Sequence, residues 1–209
     1  MLRKILIKIA NIPIVWNILQ NVVGANQWKL VVYPSVFENQ NGKLLDFGCS
    51  IGNTTPAFFN FDYIGLDVDS EAILAAQKRY AQHTNVKFYA LDITKTKLPE
   101  KDFDHILFAT AGHHIPDTEI TLIIDILLTY LKPTGHLHFF DIFRQPGVDG
   151  FTTRLLTRFD QGKFIRTLEQ NENIFASKKY HITKKKIFYS PDNWLIKQQD
   201  MLYLCIQPQ

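Results

Sequence analysis

"LLDFGCSIGNTT", residues 44–55, decides the fold. An apolar run of strand length closes on Asp46 and Phe47, passes through Gly48, Cys49, Ser50 and Gly52, and turns at once into a helix start. Glycine has no Cβ, so its backbone can lie close to a ligand. Thr54 or Thr55 can open the helix, with Pro56 in its first turn. A buried strand left through two glycines into a helix is a place where an α/β sheet holds a small molecule at its strand ends.

The rest of the chain supplies that sheet. Past Gly42, strand-length apolar runs fall at Lys43–Phe47, Tyr63–Asp67, Val86–Asp92, His105–Ala109 and His136–Asp141. Helical stretches lie between them. Ser70 is placed to N-cap "EAILAAQKRYA", where Ile73, Ala76, Gln77 and Tyr80 recur at helical spacing. Asp117 is placed to cap a second helix, striped by Ile120, Ile123, Ile124, Leu127, Leu128 and Leu131, with Pro133 and Gly135 as breakers. Such alternation predicts βαβ units and right-handed crossovers. Residues 150–177 read as helical, and "KYHITKKKIFYS" and "DNWLIKQQDMLYLCIQP" as two closing strands. The expected fold is therefore α/β: a doubly wound, mainly parallel seven-stranded sheet with a C-terminal antiparallel strand pair and an N-terminal helical cap. One domain spans 1–209, divided into a cap (1–40), a cofactor-binding core (41–142) and an acceptor or lid segment with closing strands (143–209).

Composition agrees with a single globular unit. Of 209 residues, 46% are hydrophobic and 21% charged, and 23 Lys+Arg face 20 Asp+Glu, which makes no electrostatic case for nucleic acid. Two distant cysteines, Cys49 and Cys205, and no secretory signal point to the cytoplasm. "LRKILIKIANIPIVWNILQNVVG", residues 2–24, is apolar but interrupted, so no run reaches the roughly 18 residues of a membrane span. Two short amphipathic helices broken at Pro13 fit it, packed as a cap; attachment to a membrane surface is the less favoured reading.

Four strand ends meet on one rim. Asp67 ends the second strand fifteen residues after Gly52, where an acid accepts hydrogen bonds from ribose hydroxyls. Asp92 ends the third, and "TAGHHIPD" follows the fourth. These groups point to an adenosine-type ligand. Asn53 excludes a phosphate-cradling P-loop, which needs Lys and Ser/Thr there. The G-x-x-x-G spacing departs from the dinucleotide pattern, and Asp46 beside a pyrophosphate would be repulsive. An ammonium and a positive sulfur suit Asp46, so S-adenosyl-L-methionine fits better than NAD.

"LLDFGCSIGN" resembles the first motif of class I S-adenosylmethionine-dependent methyltransferases. "YIGLDVDSEAILAAQKR" is similar to their second, "FYALDITKTKLPEKDFDHILFATAGHHIPD" to their third and fourth, and "LLTYLKPTGHLHFFD" to the segment into the fifth strand. The resemblance covers residues 42–142. It implies Asp46, Gly48 and Gly52 around the methionine moiety, Asp67 on the ribose and Asp92 on the adenine amino group, with Cys49, Ser50, Val68, Ile93 and Thr110 also in the cofactor site. Where the family most often has Gly, this chain has Ser50.

Methyl transfer from a sulfonium needs mainly alignment of a nucleophile. A general base helps a hydroxyl or ammonium nucleophile, and His113 and His114 stand at the right strand end for it, with His113 favoured. As simple helix-entry residues they would serve structure alone. A metal is not expected: His136 and His138 share a strand face and can chelate, with Asp141 beyond, but the acid of metal-dependent relatives is replaced by Ala111-Gly112. Lys178, Lys179 and Lys184–Lys186 read as a solvated strand edge, and DNA base methylation is not expected, because its Asn/Asp-Pro-Pro-aromatic loop is missing. Trp16, Trp28, Tyr33, Phe37, Phe143, Phe151, Phe159 and Phe164 belong either to the core or to an apolar or aromatic acceptor pocket. Lys163 and Arg166 sit where a lid would meet an anionic acceptor. The expected activity is methylation of O or N on a small-molecule acceptor. The alternatives are a catalytically silent cofactor-binding partner and a nicotinamide-dependent reductase.

Overall fold

Seven strands form one sheet, and the apolar runs of its central strands are buried on both faces, as strands covered by helices must be. The computed structural model describes residues 25–146, 162–176, 180–189 and 200–208. The helices expected over 2–24, with Trp16, and the residues Phe151, Phe159, Lys178 and Lys179 lie outside these. Strands β1 (Lys43–Phe47), β2 (Asp62–Asp67), β3 (Val86–Ala90), β4 (Phe103–Ala109) and β5 (Leu131–Ile142) are mutually parallel. Strands β6 (Tyr180–Phe188) and β7 (Met201–Pro208) add an antiparallel pair beyond β5. The order is β3-β2-β1-β4-β5-β7-β6, so it reverses between β1 and β4. That reversal opens the crevice at the carboxyl ends of those two strands.

Each face has its own apolar cluster. Helix α1 (Ala25–Val32), the 3-10 turn Thr55–Phe58 and helix α2 (Ser70–Arg79) cover Leu44, Tyr63, Leu107, Phe140 and Tyr203. Helix α3 (Asp117–Leu128) and helix α4 (Leu168–Ile174) cover Leu45, Ile64, Ile106, Phe139 and Leu204. Ile120, Ile123, Ile124 and Leu127 are buried at the expected i, i+3, i+4, i+7 spacing. Each such side chain contributes about 1.5–3 kcal/mol by leaving water.

Several local expectations are corrected. The helix after β1 is only a four-residue 3-10 turn, because Phe58 and Phe61 must both turn inward before β2 begins. Asp69, not Ser70, caps α2; its carboxylate accepts from the N–H groups of Glu71 and Ala72. Gln77 faces out, and its amide donates to the Phe88 carbonyl, while Ala72 takes the inner position. Asp117 is the first residue of α3 rather than its cap, which is Pro116. That helix stops at Leu128, and Leu131, Pro133 and Gly135 belong to a longer β5. Strand β3 ends at Ala90, leaving Asp92 on the loop beyond it. In the described part of 150–177, only Leu168–Ile174 is helical, opened by a capping box between Thr167 and Gln170.

The lysine-rich strand β6 is an edge of the sheet, as expected. Lys184 pairs with Glu38, Lys185 with Glu172 at 2.6 Å, and Lys186 lies 4.4 Å over the Phe188 ring. No described helix is long and apolar enough to cross a membrane.

Candidate active site

The loop after β1 is locked by its main chain. Gly48 and Cys49 both donate N–H to the Leu66 carbonyl, at 2.8 and 3.2 Å. The next residue, Ser50, takes φ +49°, a left-handed conformation that glycine adopts at least cost. This aims its N–H at Asp67 Oδ2, 2.8 Å away. Asp67 Oδ1 accepts from the Asp69 N–H at 3.0 Å. The acid expected at a ribose is thus held between the first two strand ends, and each oxygen keeps a lone pair for a further donor.

The two glycines matter first for packing. A Cβ on Gly48 would meet that of Ala111 at 2.7 Å, so this glycine lets the β1 and β4 loops touch. One on Gly52 would lie 2.8 Å from Thr55 Oγ1 and 2.9 Å from the Tyr80 ring. The Tyr80 hydroxyl donates to the Gly52 carbonyl at 2.6 Å, tying the loop to the end of α2. Close approach is needed here, but by neighbouring loops and side chains.

Asp46 sits beneath this loop, 3% exposed. The Tyr63 hydroxyl donates to its Oδ2 at 2.7 Å and Thr54 Oγ1 at 3.3 Å. Thr55 Oγ1 donates in turn to the Tyr63 oxygen at 3.1 Å. Burial raises the Asp46 pKa to about 6, although both hydroxyls oppose the rise. Burial likewise pushes the Cys49 thiol and the Tyr63 hydroxyl up.

The remaining rim residues stand at the neighbouring strand ends. Val68 is 72% exposed, an apolar side chain presented to the crevice edge beside Asp67. Asp92 accepts from the N–H and hydroxyl of Thr94 and pairs with Lys95 at 2.7 Å, which together hold its pKa at about 2. Ile93 is buried beside it. Thr110 has φ +51°, its N–H donates to the Phe140 carbonyl, and its hydroxyl lies 3.3 Å from that of Tyr33. Tyr33 is fully buried at the end of the cap segment, close enough to Asp46 and Asp141 for both to oppose its ionisation. Sequence reasoning had placed Tyr33 only among the aromatics.

The two histidines differ in burial, although their ring centroids lie only 4.3 Å apart. His114 is exposed; His113 is 3% exposed, and its Nδ1 lies 2.5 Å from Asp141 Oδ1. This pairing corrects the chelating reading of His136, His138 and Asp141. Alternation along β5 sends Asp141 to the opposite face from His138. His138 instead bonds His105 at 3.1 Å and Tyr203 at 3.0 Å, with Phe37 stacked on its ring. Burial lowers the pKa of both, that of His105 to about 4. Among the described residues no three His, Cys, Asp or Glu side chains cluster as a metal site.

Arg166 is also corrected. It is 4% exposed and its guanidinium faces inward. Nε donates to Asp117 at 2.8 Å, Nη1 to the Gly112 carbonyl at 3.0 Å and Nη2 to the Ile115 carbonyl at 2.8 Å. It staples the turn that carries His113, a role the sequence hid because 49 residues separate it from Asp117. Trp28, Tyr33, Phe37 and Phe143 all pack in the two cores.

The chain is similar to known proteins in sequence and in fold. Residues 44–135 match a family model described as a methyltransferase domain. Over 103 residues the chain is 30% identical to phosphoethanolamine N-methyltransferase of Plasmodium falciparum, covering 47% of this chain and 38% of that protein's length. Among solved structures, the PH0226 protein of Pyrococcus horikoshii superposes with a TM-score of 0.67 at 17% identity, over 91% of this chain and 92% of that one. N-methyltransferase NodS of Bradyrhizobium japonicum, solved with S-adenosyl-L-homocysteine, gives 0.63 at 20% identity, over 88% and 85%. Residues 44–135 are thus similar in sequence to a methyltransferase domain, and the chain shares its fold with these solved structures.

Proposed function

We propose that this methyltransferase-type chain binds S-adenosyl-L-methionine in the crevice between β1 and β4 and moves its methyl group to O or N of a small-molecule acceptor. The observation that carries the reading is the Ser50–Asp67 bond. It holds a carboxylate at the second strand end, within a loop whose main chain is already ordered for a ligand. Asp67 takes the ribose hydroxyls, Val68 and Ile93 flank the adenine, Asp92 accepts from its amino group, and Gly48 to Gly52 line the methionine end.

The related phosphoethanolamine and NodS enzymes are N-methyltransferases by name, which favours an amine among the acceptors. His113, the buried member of the histidine pair, is the general base in this reading. Residues 1–40 serve as a cap; Val32, Tyr33 and Phe37 are buried against the sheet face that also carries Asp46. The cytoplasm is the place proposed for it, on its two free, buried cysteines.

The test is a screen reading S-adenosylhomocysteine release with phenols, amines, sugars and quinone-type lipids. Turnover of one class, lowered about 10²–10⁴-fold by His113→Ala, is the result expected for a general base. Cofactor binding with no release from any class would favour a catalytically silent partner protein.

A further inference from the structure

The pair formed by His113 and Asp141 carries more than a contact distance. Asp141 is 1% exposed, and its Oδ1 also accepts from the backbone N–H of Ile142 at 2.9 Å. A backbone N–H can only donate. An oxygen that already accepts from it is poorly placed to carry a proton itself, so the proton in the 2.5 Å contact belongs to Nδ1 of His113. The neutral ring then carries its lone pair on Nε2.

The surroundings are built for this pair. Among the described residues Asp141 Oδ2 is buried with no hydrogen-bond partner, a cost in free energy that calls for an explanation. A Cβ on Gly112 would come within 2.6 Å of that oxygen, so the glycine clears the space it occupies. Phe164 donates its N–H to the His113 carbonyl at 3.0 Å, and Arg166 holds the carbonyls of Gly112 and Ile115 on either side. Backbone and side chain of His113 are therefore fixed independently.

We propose that Asp141 is a positioning residue for methyl transfer, holding His113 as the Nδ1–H tautomer so that Nε2 is the nitrogen that takes the acceptor's proton. The inference rests on the methyltransferase reading above. In the step itself, the acceptor's lone pair forms the new bond to the methyl carbon and the carbon–sulfur bond breaks. The acceptor's proton passes to Nε2, leaving an imidazolium whose Nδ1–H still faces the carboxylate. The Asp141 carboxylate, 2.5 Å from Nδ1, stabilises that charge.

Long-range ¹H–¹⁵N correlation on the full chain reads the tautomer without an acceptor. Wild type is expected to show a pyrrole-type Nδ1 and a pyridine-type Nε2 at His113. Asp141→Asn offers an amide N–H to Nδ1, and the two nitrogen shifts should exchange. Gly112→Ala, which displaces the carboxylate while keeping it, should shift the populations the same way and serves if the first variant does not fold. His114 signals should stay put in both. A parallel calorimetric titration with S-adenosylhomocysteine separates the two readings. Failure of wild type to bind overturns the cofactor assignment and the base role with it. Binding, together with a His113 tautomer indifferent to both substitutions, overturns the role of Asp141 alone.

Discussion

The Tyr63 hydroxyl donates to Asp46 Oδ2 at 2.7 Å, placing a buried carboxylate under the ligand loop and joining β2 to β1 through side chains as well as through the ladder. Removing that donor in Tyr63→Phe leaves Asp46 with Thr54 as its hydroxyl partner. We expect a loss of about 1–3 kcal/mol in unfolding free energy at pH 8, measured by urea denaturation.

Asp46 also sets a pH dependence. Its folded pKa of about 6 lies above the ordinary 3.8, so the native state binds the proton more tightly than the unfolded chain. Its contribution to stability therefore falls as pH rises from about 4 to about 6 and is level above that, by roughly 3 kcal/mol in all. Asp46→Asn should abolish this component in a series of unfolding curves. If the variant and wild type lose stability in parallel across the window, the assignment fails.

His105 and His138 act in the opposite direction. Both are held neutral by burial, so the unfolded chain takes up protons that the folded chain refuses. Their contribution is lost as pH falls below about 6.5, that of His105 towards 4. His105→Gln should flatten the acid limb of the stability curve. A limb unchanged by the substitution would mean that these rings titrate normally.

Ser50 pays for a left-handed backbone that glycine would adopt freely. Ser50→Gly keeps the N–H that reaches Asp67 and should raise the unfolding free energy by up to about 1 kcal/mol, seen as a higher urea midpoint with the slope unchanged. A lower midpoint would show that the serine side chain contributes more than its strain costs.

Much of this architecture was legible from residue patterns. Apolar runs ending in Asp46 and Asp67, and the stripe from Ile120 to Leu127, are local signals, and each became the expected element, two inner strands and a helix on the sheet face. What escaped were relations between distant residues. Asp141 and His113 are 28 positions apart and meet only because β5 lies parallel to β4. Alternation along β5 separates Asp141 from His138, a cue present in the sequence. Arg166 resembled a surface lid cation because two of its acceptors are carbonyls, which every residue has, and the third, Asp117, is 49 residues away. The four-residue turn after Thr54 looked like a helix start because a proline in the first turn suits both.

The most direct measurement is isothermal titration of the full chain with S-adenosylhomocysteine and, separately, with NADH. The account predicts one site for S-adenosylhomocysteine, no heat from NADH, and affinity lowered roughly 5- to 150-fold in Asp67→Ala through loss of about 1–3 kcal/mol. Binding of NADH without S-adenosylhomocysteine would contradict it.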